Sequence, residues 1–228
     1  MLVPVGLNME NPMVNYSRII KETNSKMFNV RDEYKNNTLE HNQNICKADR
    51  LPFSVGVINV AGDLNVGMML RSACLLGAEN FYIFGRKKFD KRSTVGAENY
   101  INIQQFVYND PISADEDIYM DIVELYLDKH DIVLCEHGGH ELGTFSWKQL
   151  IDESHGVVVD DKLIKAKDYS KYTPLFLFGS ESHGLPGCLG ENYNFMKVSV
   201  PQRGVLRSFN VSAAMAIVCW DYIREMKL

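Results

Sequence analysis

A chain of 228 residues with 46% hydrophobic and 23% charged residues has the balance of an ordinary folded protein, which excludes a disordered or fibrous one. Its formal net charge of −5 argues against a nucleic-acid partner unless a local basic patch serves. The longest apolar run, Phe209 to Trp220, is broken by Asn210 and Ser212 and is too short to span a bilayer. The opening MLVPVGLNMENP lacks a basic start, a continuous apolar stretch and a small-residue cleavage site, so no signal peptide is expected. The five cysteines are scattered, odd in number and without a C-x-x-C pair, which fits a reducing, cytoplasmic setting.

Residues 1–50 are rich in Asn, Lys and Glu and read as a polar arm or small extension, with a short helix at Ser17–Met27. From Leu51 strands and helices alternate, so 51–228 reads as the main domain. Phe53–Asn59 is the first expected strand. Val66–Leu76 is a helix, with Asn65 its N-cap and Gly77 its stop. Phe81–Phe84 is a second strand, Gly85–Ser93 a basic loop and Ile101–Tyr108 a third strand. An amphipathic helix at Asp117–Lys129 precedes a fourth strand, Ile132–Cys135. A weaker helix at Thr144–Glu153 and a polar insertion at His155–Lys171 follow. Pro174–Phe178 and Met196–Val200 are strands five and six, and Ser208–Met226 is a long closing helix. The pattern predicts an α/β fold, a mostly parallel sheet with helices on both faces. Ligands of such sheets bind beyond the carboxyl ends of the strands. The chemistry is therefore expected in the loops after Asn59, Phe178 and Val200.

The first of these loops leads into a helix carrying Arg71, six residues after Asn65. A lone Arg in an apolar helix either snorkels to solvent or grips a phosphate or ribose. In the second loop, Glu181 directly follows an apolar strand between Gly179 and Gly184. Glycines there permit close backbone approach to a ligand, and a helix-capping carboxylate is the alternative. The loop misses the G-x-S-x-G pattern of hydrolases, because Ser180 stands at its first glycine. The third loop ends at Ser208, a natural N-cap, followed by Asn210 at the head of a helix apolar nearly all round. A buried Asn there needs partners or serves a ligand. Glu136-His137-Gly138-Gly139-His140-Glu141 matches no zinc spacing and reads as a solvated loop, so no metal is expected.

Taken together, the three loops resemble the three motifs of the SpoU/TrmH family of the SPOUT class of RNA methyltransferases. Asn65, Gly67 and Arg71 fit N-x-G-x-x-x-R, and Gly179, Glu181 and Gly184 fit G-x-E-x-x-G. Val200, Pro201, Gly204, Ser208, Phe209, Asn210, Val211 and Ser212 fit I-P-x-x-G-x-x-x-S-L-N-V-S, with Phe209 in place of the usual Leu. The match covers about Phe53 to Glu225. No counterpart of the N-terminal RNA-binding domain of many relatives is expected in residues 1–50, and the insertion at His155–Lys171 is not typical.

The resemblance implies a deep trefoil knot in the C-terminal part, a homodimer through the closing helix, and S-adenosylmethionine as cofactor. It implies methylation of a ribose 2′-hydroxyl of tRNA or rRNA. The cofactor would be held by backbone around Leu177, Phe178, Gly179, Gly184, Val200, Leu206 and Phe209. Arg71 would stand nearest the hydroxyl, oriented with the ribose by Asn65, Glu181, Ser208 and Asn210. The family favours an Arg general base, but a guanidinium stays protonated, which makes an electrostatic anchor the physically simpler role. Two other readings stay open: a noncatalytic RNA-binding or assembly protein on the same scaffold, and a base-methylating SPOUT enzyme. The densest basic stretch, Arg86, Lys87, Lys88, Lys91 and Arg92 around Phe89, follows the second strand at the motif-loop edge. It is the expected RNA contact.

Overall fold

The structure is a computed structural model that describes residues 29–59, 64–86, 90–110, 113–128, 130–152, 157–159, 162–164, 173–180, 183–191 and 195–228. The helix expected at Ser17–Met27 lies outside them. The chain divides into two compact units, Met1–Asn42 and Gln43–Leu228. In the first, a 3-10 turn at Asp32–Tyr34 precedes the helix α1 (Leu39–Ala48), which runs on into the second. In this first unit the buried Asn42 amide donates to the Tyr34 carbonyl and its oxygen accepts from Asn37.

The second unit is built on six strands: β1 (Leu51–Asn59), β2 (Ala78–Gly85), β3 (Asn102–Val107), β4 (His130–Glu141), β7 (Thr173–Phe178) and β8 (Met196–Ser199). Their order across the sheet is β3-β2-β1-β7-β4-β8, and all five neighbouring pairs run parallel. The described parts of the insertion form a separate antiparallel pair, β5 (Val157–Val159) and β6 (Lys162–Ile164).

Alternation along β1 divides the core in two. Phe53, Val55 and Val57 face the helices α2 (Leu64–Leu75), α4 (Trp147–Asp152) and α6 (Val211–Met226). On the opposite face, Ile118, Ile122, Val123 and Tyr126 of α3 (Asp115–Leu127) pack on Tyr82, Phe84, Leu134 and Leu177. The short α5 (Gly187–Glu191) adds Leu189 to that layer. Rings of Phe53, Trp147, Phe176 and Tyr222 meet edge-on or tilted at 5.2–6.1 Å between centroids. Trp147 indole N–H donates to Asp221 at 3.0 Å, and its main-chain N–H donates to Glu225 at 2.8 Å, which ties α4 to α6.

The observed elements correct three readings. Asn65 lies inside α2, which begins at Leu64. The fourth strand is twelve residues long and absorbs the stretch read as a solvated loop. The closing helix starts at Val211, so Asn210 rather than Ser208 is its N-cap.

Candidate functional site

With all six strands of the main sheet parallel, the carboxyl ends of β7 and β8 share one edge with the middle of β4, where Cys135 lies opposite Phe178, and a cleft of about 340 Å³ opens there. Phe178, Gly179 and Gly184 form one wall, Val200, Ser208 and Phe209 another, and Glu136 with His137 the β4 side. Such a volume suits a ligand of cofactor size.

The second loop is closed on itself. The N–H of Ser180 donates to the Gly184 carbonyl at 2.9 Å, and the N–H of Gly184 returns the bond at 2.9 Å. This fold-back brings the chain so near Gly179 that an added Cβ would lie 2.1 Å from the Gly184 carbonyl carbon. Only glycine fits. Glu181 lies within this loop but outside the described residues.

Asn210 occupies the N-cap of α6 at φ −56° and ψ 135°. Its side-chain oxygen accepts from the Ser212 N–H at 3.0 Å and from the Ser212 hydroxyl at 2.6 Å. Its amide donates to the Asn65 oxygen at 2.9 Å. The expected burial of Asn210 does not hold: it is exposed, and it satisfies its groups through the helix head and α2 rather than within a core. One short side chain thus links the first motif to the third, 145 residues later, and Phe209 and Val211 on either side of it line the cleft.

Arg71 is half-buried on α2, one turn beyond Gly67 on the same face, and does not line the cleft. Gly67 is pressed against the 3-10 turn Lys91–Ser93; a Cβ there would lie 2.0 Å from Ser93 Oγ and 2.8 Å from the Asp90 carbonyl oxygen. The basic segment is therefore docked on the helix that carries Arg71. Arg86, Lys91 and Arg92 are exposed, and Lys87 and Lys88 lie outside the described residues. Asp90 caps the turn through the Arg92 N–H at 2.9 Å and pairs with the Arg92 guanidinium, which holds its carboxyl down to about 2. Arg92 therefore offers less free charge than the sequence suggests.

Of the other expected residues, Leu177 has its side chain fully buried among α3 and the sheet, leaving only its main chain to face a ligand. Leu206 is 85% exposed beside Val205. Residues not singled out from sequence also line the cleft: Cys135, His183, Leu185, Gln202 and Arg207. Burial pushes the Cys135 thiol well up, so it remains a neutral wall atom. The cleft's use of Glu136 and His137 needed the length of β4, which a polar, glycine-containing stretch conceals. Among the described residues, no three His, Cys, Asp or Glu side chains converge as a metal site.

Residues 52–220 match the model of the SpoU rRNA methylase family. The chain belongs to that family. Among solved structures, this SpoU chain is similar to the TrmH/SpoU tRNA-modifying enzyme of A. aeolicus, at 18% identity and a TM-score of 0.57 over 83% of this chain and 82% of that one. It is similar to the SpoU methyltransferase AviRb from Streptomyces viridochromogenes in complex with AdoMet, at 20% identity and a TM-score of 0.53 over 78% of this chain and 58% of that one. At such identities the likeness is one of fold. Over 80 residues it is 30% identical to the tRNA (guanosine(18)-2'-O)-methyltransferase TARBP1 of Mus musculus. That match takes in 33% of this chain and spans 5% of the mouse protein.

Proposed function

We propose that this SpoU chain transfers a methyl group from S-adenosylmethionine to a ribose 2′-hydroxyl of tRNA or rRNA. The observation that carries the reading is the Asn210–Asn65 bond, which joins two family motifs at the rim of a cleft walled by the other. The family description names rRNA, whereas the A. aeolicus and mouse relatives act on tRNA.

The cleft fits such a cofactor: it is walled in part by apolar Phe178, Leu185, Val200 and Phe209, and the lack of side chains at Gly179 and Gly184 leaves room for a ligand to approach the main chain. Main chain at Leu177, Phe178, Gly179, Gly184, Val200 and Leu206, with the ring of Phe209, would hold the adenosine and methionyl parts. When bound, the cofactor would supply an electrophilic methyl carried on a cationic sulfur; its transfer to the ribose oxygen would release the neutral thioether, and the hydroxyl proton would pass to solvent. The protein's share is to position the hydroxyl and offset the charge that develops on its oxygen. Asn65, Ser208 and Asn210 orient the ribose, with Glu181 from the closed loop. Arg71, set apart from the cleft lining, anchors the RNA through the phosphate or developing alkoxide and keeps its own proton. Exposed Arg86, Lys91 and Arg92, with Lys87 and Lys88, extend that anchor along the backbone.

Dimerisation belongs to the same reading. Leu64, Met68 and Leu75 form an exposed stripe on α2, and Ile217 and Trp220 form one on the adjoining α6. Stripes of this kind mark an interface, here a second copy of the chain through the closing helix. A trefoil knot in the C-terminal part, a methyltransferase domain over 51–228 with a polar arm at 1–50, and a cytoplasmic location complete the proposal. No described helix is long and apolar enough to cross a membrane.

The test is transfer of labelled methyl groups from S-adenosylmethionine to RNA, followed by alkaline hydrolysis. A methylated 2′-oxygen cannot attack its neighbouring phosphate, so the label is expected in alkali-resistant dinucleotides. Label in mononucleotides moves the reading to a base, and no label in tRNA or rRNA overturns it.

A further inference from the structure

The Glu136–His137 segment is put in the cleft by a device specific to β4. Cys135 and His140 both lie opposite Val198, so Glu136–Gly139 are an excursion of four residues with no counterpart on β8. Bulges beside functional sites re-aim side chains. Three features hold this one. Gly138 turns the chain at φ +81°. Gly139 returns it so close to β8 that a Cβ would lie 2.5 Å from the Lys197 carbonyl. The Ser199 hydroxyl donates to the Gly139 carbonyl at 3.0 Å.

The product is a carboxylate on a cleft wall that mixes apolar Phe178, Leu185 and Phe209 with polar Gln202, Ser208 and Arg207. Glu136 Oε1 lies 3.3 Å from the place of a Cβ on Gly184, against the closed second loop. Among the described lining residues, Glu136 is the sole carboxylate. Its neutralising partner is loose: Lys197 Nζ stands 3.6 Å from Oε2, beyond hydrogen-bond length, with 31% and 36% of the two side chains exposed. A pair of that kind adds little stability, so the ion pair alone does not account for the placing of Glu136.

We propose that Glu136 is a specificity-determining residue through which the cleft favours a cationic methyl donor over its uncharged product. The inference rests on the cofactor reading above. S-adenosylmethionine and S-adenosylhomocysteine share the adenosine, ammonium and carboxylate groups and differ by the methyl and one positive charge on sulfur. A carboxylate in such a cleft separates two such ligands by charge. Lys197 beside the carboxylate and Arg207 on the cleft lining set how much of that negative charge the ligand feels.

The experiment is calorimetric titration of the parent, Glu136→Gln and Lys197→Met with three probes. They are S-adenosylmethionine, S-adenosylhomocysteine and sinefungin, which carries an ammonium where the methylated sulfonium stands. In Glu136→Gln, affinity for both cationic probes is expected to fall about tenfold while the homocysteine product stays within about twofold. Retained product binding also shows that the cleft is intact. Lys197→Met is expected to shift the ratio the other way. An unchanged ratio in Glu136→Gln, or an equal loss for all three probes, overturns the proposal while leaving the cofactor reading in place. Failure of the parent to bind any of the three overturns the cofactor reading and this proposal with it.

Discussion

Replacing Gly67 with Ala sets two effects of opposite sign against each other. In an exposed helix the change would stabilise by about 1 kcal/mol, because glycine is the poorer helix former. Here the new methyl would meet Ser93 Oγ at 2.0 Å, the Asp90 carbonyl oxygen at 2.8 Å and Ser93 Cβ at 3.2 Å. The hydroxyl cannot simply swing aside without cost, since it donates to the Asp90 carbonyl at 2.7 Å, and the carbonyl is backbone. Overpacking of this kind costs about 1–3 kcal/mol, and two contacts under 3.0 Å put it near the top of that range. The net expectation is a loss of about 2 kcal/mol, or a thermal midpoint lower by roughly 4–8 °C for a chain of this length. Adding Ser93→Gly removes two of the three contacts and should restore about half of the loss. Scanning calorimetry on the parent, single and double variants decides the matter. A midpoint that rises in Gly67→Ala would show helix propensity winning, and the docking of the basic turn on α2 would be refuted.

Arg71→Ala should keep cofactor affinity within a few-fold while losing most methyl transfer, because the lost interaction belongs to the RNA and the transition state; near-parent turnover would remove Arg71 from its role. Asn210→Ala should destabilise by about 1–2 kcal/mol through loss of the cap. Asn210→Asp keeps the cap acceptor and loses only the bond to Asn65, so its denaturation midpoint should stay near the parent's while methyl transfer drops. Trp220→Asp should yield monomers in sedimentation at micromolar concentration, and a parent that is itself monomeric there would refute the stripe as an interface. His130 is buried between Tyr82 Oη at 2.9 Å and Thr173 Oγ1 at 3.3 Å, and burial lowers its imidazole below the ordinary value despite the opposing pull of Asp128. The unfolded chain therefore binds the proton more readily. Stability should be whole above about pH 6.5 and fall as pH drops toward the lower native value. His130→Gln should flatten that acid limb of the melting temperature, and an unaltered limb would assign it to other groups.

The alternation of strands and helices was legible because β1, β2 and β7 are apolar and bounded by polar or glycine-bearing turns. The family was legible from the motifs, since their residue types and spacing are local. What lay hidden was non-local. α1 reads as a polar stretch, LEHNQNICKA, with little apolar periodicity to reveal it. Ser208 and Asn210 are both good caps by residue type, and the helix chose Asn210, whose amide also reaches Asn65. Gly67 looks like one more helix glycine until Ser93, 26 positions on, is found against it. The run after Cys135 suggests solvent because its glycines and charges mask a strand that bulges and resumes beside β8.

The sheet order also has a consequence for biosynthesis. β1 is central, and its second neighbour is β7, with Ser54 opposite Leu175, 121 positions further along the chain. A ribosome adding about 5–20 residues per second needs roughly 6–24 s to cover that distance. During that interval β1 can pair with β2, while its other edge waits for a strand not yet made. Nascent chains stalled before Thr173 would display an unpaired, apolar parallel edge, the kind of surface that chaperones capture and that sticks to copies of itself.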